Sequence, residues 1–175
     1  MSAIRYGENA VFDTQLDAIE HKFGVSLPAD YREFMLKHNG LRLNVPKFSV
    51  EFPVSKIDGD VTFFYLHQIY DDMHIKKNSN LAAVNERFLC ELEHVPGAFI
   101  IGSDNSTDKY VMICSGHRAG CYFWDRDHFY SDFGACDIDE VDESGKLYKV
   151  TDNFSDFYQL ILNNIKDYSS FYDGL

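Results

Sequence analysis

The stretch FGVSLPADYREFMLKHNG, residues 23–40, decides how the rest of the chain is read. Leu27 and Pro28 stand immediately before a run of helical period, and Asn39 and Gly40 stand immediately after it. Proline has its φ fixed near the helical value and lacks the N–H that a first turn would leave unpaired, while glycine adopts the left-handed conformation that ends a helix. Tyr31, Phe34, Met35 and His38 fall at i, i+3, i+4 and i+7, with Arg32, Glu33 and Lys37 on the other side. The spacing predicts a short amphipathic helix with the Tyr31 stripe turned inward. Just upstream, Thr14 and Asp17 resemble a capping box, Leu16, Ile19 and Phe23 share a face, and Gly24 is a stop signal. Two helices are therefore predicted to meet at a corner held by Leu27 and Pro28.

After Gly40, LRLNVPKFSVEFPVS alternates apolar and polar residues, which is the period of a strand, with Pro46 and Pro53 as interruptions or edges. Asp58-Gly59 precedes VTFFYLHQIY, residues 61–70, and reads as a hairpin turn into a buried strand. Asn80 can cap a helix carrying Leu81, Val84, Phe88 and Leu92 that Pro96-Gly97 ends. Three apolar runs follow, at 98–102, 109–115 and 120–127, separated by the polar turns SDNSTD and GHRAG, so an antiparallel meander is the simplest pairing. KLYKV, 146–150, adds a strand. Asn153 or Ser155 caps a last helix with Phe154, Phe157, Ile161 and Ile165 at helical spacing. The fold class expected is α+β: one domain over 1–175, core about 12–167, with a twisted, mainly antiparallel sheet of about six strands, an N-terminal helix pair and a C-terminal helix.

At 175 residues the chain can fill one core, burying roughly 70% of its unfolded surface. Its net charge is −12, from 28 acidic against 16 basic residues. Phosphate contacts need a basic face, so no nucleic-acid partner is expected, and a basic protein is the natural one. No segment approaches the roughly 20 apolar residues of a membrane span, so no membrane partner is expected. MSAIRYGENA has no apolar core or cleavage-like site, and the compartment expected is the cytoplasm.

Four blocks of sequence resemble the Smi1/Knr4 family, also called the SUKH superfamily. The first runs from Ile19-Glu20 and Phe23-Gly24 through Leu27-Pro28, Asp30-Tyr31-Arg32 and Phe34 to Asn39-Gly40. Val95-Pro96-Gly97 leading into Ile100-Ile101-Gly102 is the second, the strand pair Tyr110 to Ile113 and Tyr122 to Asp125 the third, and Phe154 with Phe157 the last. The first block is the specific one. One departure stands out: the family commonly has a glycine-aspartate pair in the turn after the isoleucine-glycine segment. Here that turn is 104–109, where Asp108 keeps the acidic position and the glycine is absent. The resemblance implies a noncatalytic domain needing no cofactor. Many bacterial members look like immunity proteins that neutralise a cognate toxin domain, often a nuclease used against neighbouring cells. Fungal and animal relatives instead act as scaffolds or regulatory subunits, so a fold of this kind assigns binding more securely than it assigns a partner.

The residues themselves allow a test for enzymatic chemistry. Cys114, His117 and Cys121 have a C-x2-H-x3-C spacing of zinc-ligand types, yet no CxxC knuckle or fourth ligand accompanies them. Both cysteines read as small hydrophobes in strands, and no metal is expected. Asp104, Ser106 and Asp108 open like a calcium loop, but Lys109 occupies its glycine position and Ser115 its glutamate position. GxxxxGK[ST], GxGxxG and GxSxG are all absent. A binding surface has more support. Tyr122, Phe123, Trp124, Phe129, Tyr130 and Phe133 crowd one stretch beside Asp125, Asp127 and Asp132, and aromatic anchors with a charged rim are what interfaces favour. Strand alternation sets Tyr122 and Trp124 on the face opposite Phe123, one of the two faces being the packed one. The candidates for contact with a basic partner are Asp104, Asp108, Tyr122, Trp124, Asp125, Asp127 and, from the acidic run at 137–143, Asp137, Asp139, Glu140 and Asp142.

Overall fold

The computed structural model describes residues 2–70, 78–104, 106–130 and 135–172. Helices α1 (Asp13–Phe23) and α2 (Ala29–His38) form the corner that residues 23–40 foretell. Gly24 ends α1 at φ 65°, and Asn39, at φ 47°, ends α2 one residue before Gly40. The start of α1 differs from the capping-box reading. The helix begins at Asp13, and the Gln15 side chain, in place of Thr14 and Asp17, accepts the Phe12 N–H at 3.0 Å. Asp17 is used instead to hold the corner: Arg32 on α2 reaches Glu20 at 2.7 Å and Asp13 and Asp17 at 2.9 Å each. Glu20 in turn accepts the Leu27 N–H at 2.6 Å.

Among the described residues ten strands form two sheets. The larger has the order β1 (Ile4–Tyr6), β2 (Leu41–Leu43), β5 (Tyr65–Leu66), β6 (Ala98–Ser103), β7 (Lys109–Ile113), β8 (Gly120–Asp125), β9 (Lys146–Thr151), all neighbours antiparallel. The smaller has the order β10 (Ile165–Asp167), β3 (Phe48–Pro53), β4 (Asp60–Phe63). The run 61–70, which reads as one strand, changes sheet at Phe64, so that β4 and β5 belong to different layers. Gly40 permits the tight passage from α2 into β2. A Cβ there would sit 2.6 Å from the His67 carbonyl oxygen, a distance that only hydrogen in place of a methyl group avoids.

Both faces of the large sheet are packed, where the sequence suggested a choice between them. Phe99, Ile101, Tyr110, Met112, Cys121 and Phe123 point to α1, α2 and the C-terminal helix α4 (Phe154–Asn163). Phe157 of α4 meets Tyr110 of β7 at 5.2 Å, Phe63 of β4 at 6.2 Å and Phe52 of β3 at 6.4 Å, which joins the two sheets through one ring. On the other face Ile100, Val111, Ile113, Tyr122 and Trp124 are covered by α3 (Leu81–Phe88) and the 3₁₀ turn Leu89–Leu92. Strands covered twice lose the polar alternation, which is why β6, β7 and β8 read as continuous apolar runs. Asn80 caps α3 as expected, accepting the N–H groups of Ala82 and Ala83. No helix among the described residues is long and apolar enough to cross a membrane.

Candidate functional site

At one end of the large sheet, the β6–β7 turn, the chain leaving β8 and the acidic loop before β9 come together. Carboxylates build this end. The Asp108 Oδ1 accepts the backbone N–H of Arg126 at 2.8 Å and of Asp127 at 3.3 Å, tying the β6–β7 turn to the end of β8. Asp104 folds its own turn by accepting the Ser106 N–H at 2.8 Å and the Ser106 hydroxyl at 2.6 Å. Asp125 accepts the N–H groups of Phe129 and Tyr130, each at 3.0 Å, and so shapes the turn after β8. All three are buried. Burial, and next the Asp104 charge, push the Asp108 carboxyl up to about 7, and burial also raises that of Asp104.

The acidic loop is fastened to this end. His128 and Glu140 lie 2.6 Å apart, and that hydrogen bond raises the pKa of the imidazole and lowers that of the carboxyl. The Trp124 indole N–H donates to the Ser144 carbonyl at 2.8 Å. Asp137 accepts the Lys149 N–H at 2.8 Å and pairs with Lys56. Asp139 accepts the Glu140 N–H at 3.1 Å.

Of the ten candidate residues, the structure assigns several to the interior. Tyr122 and Trp124 were expected to offer rings to a partner, but α3 and the 3₁₀ turn cover them, and Trp124 is 0% exposed. These two rings are core. Asp104, Asp108 and Asp125 spend their oxygens on backbone N–H groups, and Asp137 and Glu140 are paired within the chain. Asp127, Asp137, Asp139 and Asp142 remain exposed, Asp127 while accepting the Thr107 hydroxyl and Asp137 while paired with Lys56. The exposed ring here is Phe129, 72% accessible and edge-on to Tyr130 at 4.9 Å, with Val141 of the acidic loop also exposed. Phe133 and Asp132 lie outside the described residues.

Cys114 and Cys121 carry thiols whose pKa burial pushes upward, Cys114 to about 12, and His117 is exposed in the turn between their strands. A thiol raised in this way stays protonated and is a poor nucleophile at neutral pH. Among the described residues no group of three or more His, Cys, Asp or Glu side chains is placed to hold a metal ion.

The profile of the SMI1 / KNR4 family (SUKH-1) matches residues 11–160. The chain belongs to that family. No curated protein and no solved structure matches it. The SUKH match spans both the α1–α2 corner and the acidic end of the sheet, so each of the four sequence blocks has a place in the fold. The first forms the corner, the second and third form β6, β7 and β8, and the last supplies Phe154 and Phe157, both buried. At the turn where the SUKH glycine is missing, Asp108 acts as a brace between two loops.

Proposed function

We propose that this SUKH protein is a noncatalytic immunity-type domain that binds a cognate toxin domain and masks its active or substrate-binding surface. The observation that carries the reading is family membership over most of the chain. The end of the sheet supports it: an exposed Phe129 stands on loops that also present Asp127, Asp139 and Asp142 to solvent. An aromatic anchor within a charged rim is an arrangement suited to a protein partner. For a basic nuclease, such carboxylates occupy the positions that phosphates of a nucleic-acid backbone would take, and they speed encounter with a positively charged surface. The buried carboxylates contribute by fixing the loops that carry the exposed ones.

The test is a pulldown with the purified protein as bait against the producing cell's lysate and secreted fraction, at low and high salt, with mass spectrometry of the eluate. A toxin-domain protein retained at low salt and weakened at high salt is the expected result. Capture of a housekeeping enzyme with no toxin domain would replace this reading with that of a regulatory or scaffold subunit.

A further inference from the structure

Beside the acidic end, on the α3 face, lies a pocket of opposite character. It has a volume of about 470 Å³, and Arg87, Lys109 and Arg126 all line it, in a protein with a net charge of −12. The three cations come from α3, β7 and the chain leaving β8, and they converge on one ring. The Arg126 guanidinium carbon is 4.6 Å from the Phe88 centroid, that of Arg87 is 4.8 Å away, and the Lys109 ammonium is 5.4 Å away. The ring faces hold these charges close together despite their repulsion. Lys109 is only 7% exposed. Its ammonium donates to the carbonyls of Thr107 at 2.6 Å and Asp108 at 3.2 Å, which leaves one of its three donors without a partner among the described residues.

The charges do not all cancel. Glu91 engages Arg126 through both oxygens, at 2.7 and 2.9 Å, and Glu86, which also lines the pocket, pairs with Lys22. Asp108 directs its carboxylate to backbone N–H groups, and Asp127 receives the Thr107 hydroxyl. Among the described residues no carboxylate forms a salt bridge with Lys109 or Arg87, although Asp104, Asp108 and Asp127 lie near enough to Lys109 to offset part of its charge. These two cations are the ones left to meet an incoming anion. Burial, and next the Arg126 charge, lower the pKa of Lys109, a cost that a bound anion would relieve. Ala83, Val84 and the Phe88 ring itself add apolar surface to the lining.

We propose that this pocket binds a small organic phosphate, its doubly charged phosphoryl group between Lys109 and Arg87 and its body against the α3 wall. The volume falls within the range of small-molecule sites, and two residual cations match a phosphoryl dianion better than a single carboxylate. The site is independent of the toxin-binding reading, since it lies on different residues and takes the opposite charge.

The experiment is a titration followed by ¹H–¹⁵N NMR and by calorimetry, with adenosine 5′-monophosphate, adenosine and inorganic phosphate as probes. Expected are shifts of the Phe88, Lys109 and Arg126 amides with the monophosphate, none with adenosine, and weaker binding of inorganic phosphate. Equal affinity for inorganic phosphate and the monophosphate would overturn the placing of an organic body against the α3 wall. Arg87→Glu, at an exposed position, and Lys109→Met should each weaken binding at least tenfold. If Lys109→Met fails to fold, Arg87→Glu decides. No shifts at millimolar monophosphate, equal shifts with adenosine, or unchanged binding by Arg87→Glu would overturn the proposal.

Discussion

Asn39 and Ile69 exchange two hydrogen bonds: the Asn39 amide nitrogen donates to the Ile69 carbonyl at 3.0 Å, and the Ile69 N–H donates to the Asn39 side-chain oxygen at 2.7 Å. The same amide nitrogen reaches the Asn9 carbonyl at 3.1 Å. One buried residue at the end of α2 thereby stitches the chain before α1 to the chain beyond β5. In the sequence it reads as half of a helix stop; in the fold it also substitutes for missing sheet pairing at Ile69.

Replacing Asn39 with alanine should therefore cost about 2–4 kcal/mol, because it strands a buried N–H and carbonyl of Ile69 and places a β-carbon residue without a local hydrogen bond in the left-handed region. Urea unfolding with an unchanged m-value would give the figure. A loss below about 0.5 kcal/mol, the range of ordinary surface changes, would mean that water replaces the side chain freely.

Phe34 is the corresponding test of the apolar stripe. It is buried, and its ring centroid lies 5.0 Å from Phe154 and 5.0 Å from Tyr158, so it couples α2 to α4. Phe34→Ala should cost about 3–5 kcal/mol. Equilibrium unfolding would measure it, and a loss under about 1 kcal/mol would contradict the packing described here.

What could be read in advance followed local rules. Pro28, Gly24 and Asn80 act on their own neighbours, and the apolar runs of β6, β7 and β8 needed only their composition. β1 and β10, of three residues each, have no pattern long enough to see. Tyr122 and Trp124 went astray for a different reason. Alternation puts them opposite Phe123 correctly, but whether that second face meets water or α3 is decided by residues far away in sequence. The basic pocket is equally nonlocal, since Arg87, Lys109 and Arg126 are neighbours only through Phe88. Phe129 was legible as one of a cluster of aromatics, and only the fold distinguishes it from the buried ones.

The Asp108 brace predicts a pH dependence. Its carboxyl is raised from 3.8 to about 7 in the folded protein, so between those values the folded state holds a proton that the unfolded state has released. Its favourable contribution is full below about pH 4 and is lost as the pH rises through about 7. Asp108→Asn keeps an oxygen for the Arg126 and Asp127 N–H groups and removes the titration. The variant should be more stable than the parent at pH 8, by at most about 4 kcal/mol, with the difference shrinking toward pH 4. Paired denaturation curves at pH 4, 6 and 8 would show this, and parallel pH profiles for the two proteins would refute it.

The exposed end of the sheet yields the prediction closest to function. Phe129 is 72% exposed, so Phe129→Ala should change stability by less than about 0.5 kcal/mol. If the ring anchors the toxin, the same change should weaken the complex by about 2 kcal/mol or more, roughly thirtyfold. Lysine at positions 127, 139 and 142 together should act differently, lowering the association rate and flattening its dependence on salt, because exposed rim charges steer encounter more than they hold the bound state. Surface plasmon resonance with the captured toxin domain at several salt concentrations separates the two effects. Wild-type kinetics in both variants would move the contact surface away from this end of the sheet while leaving the family's binding role intact.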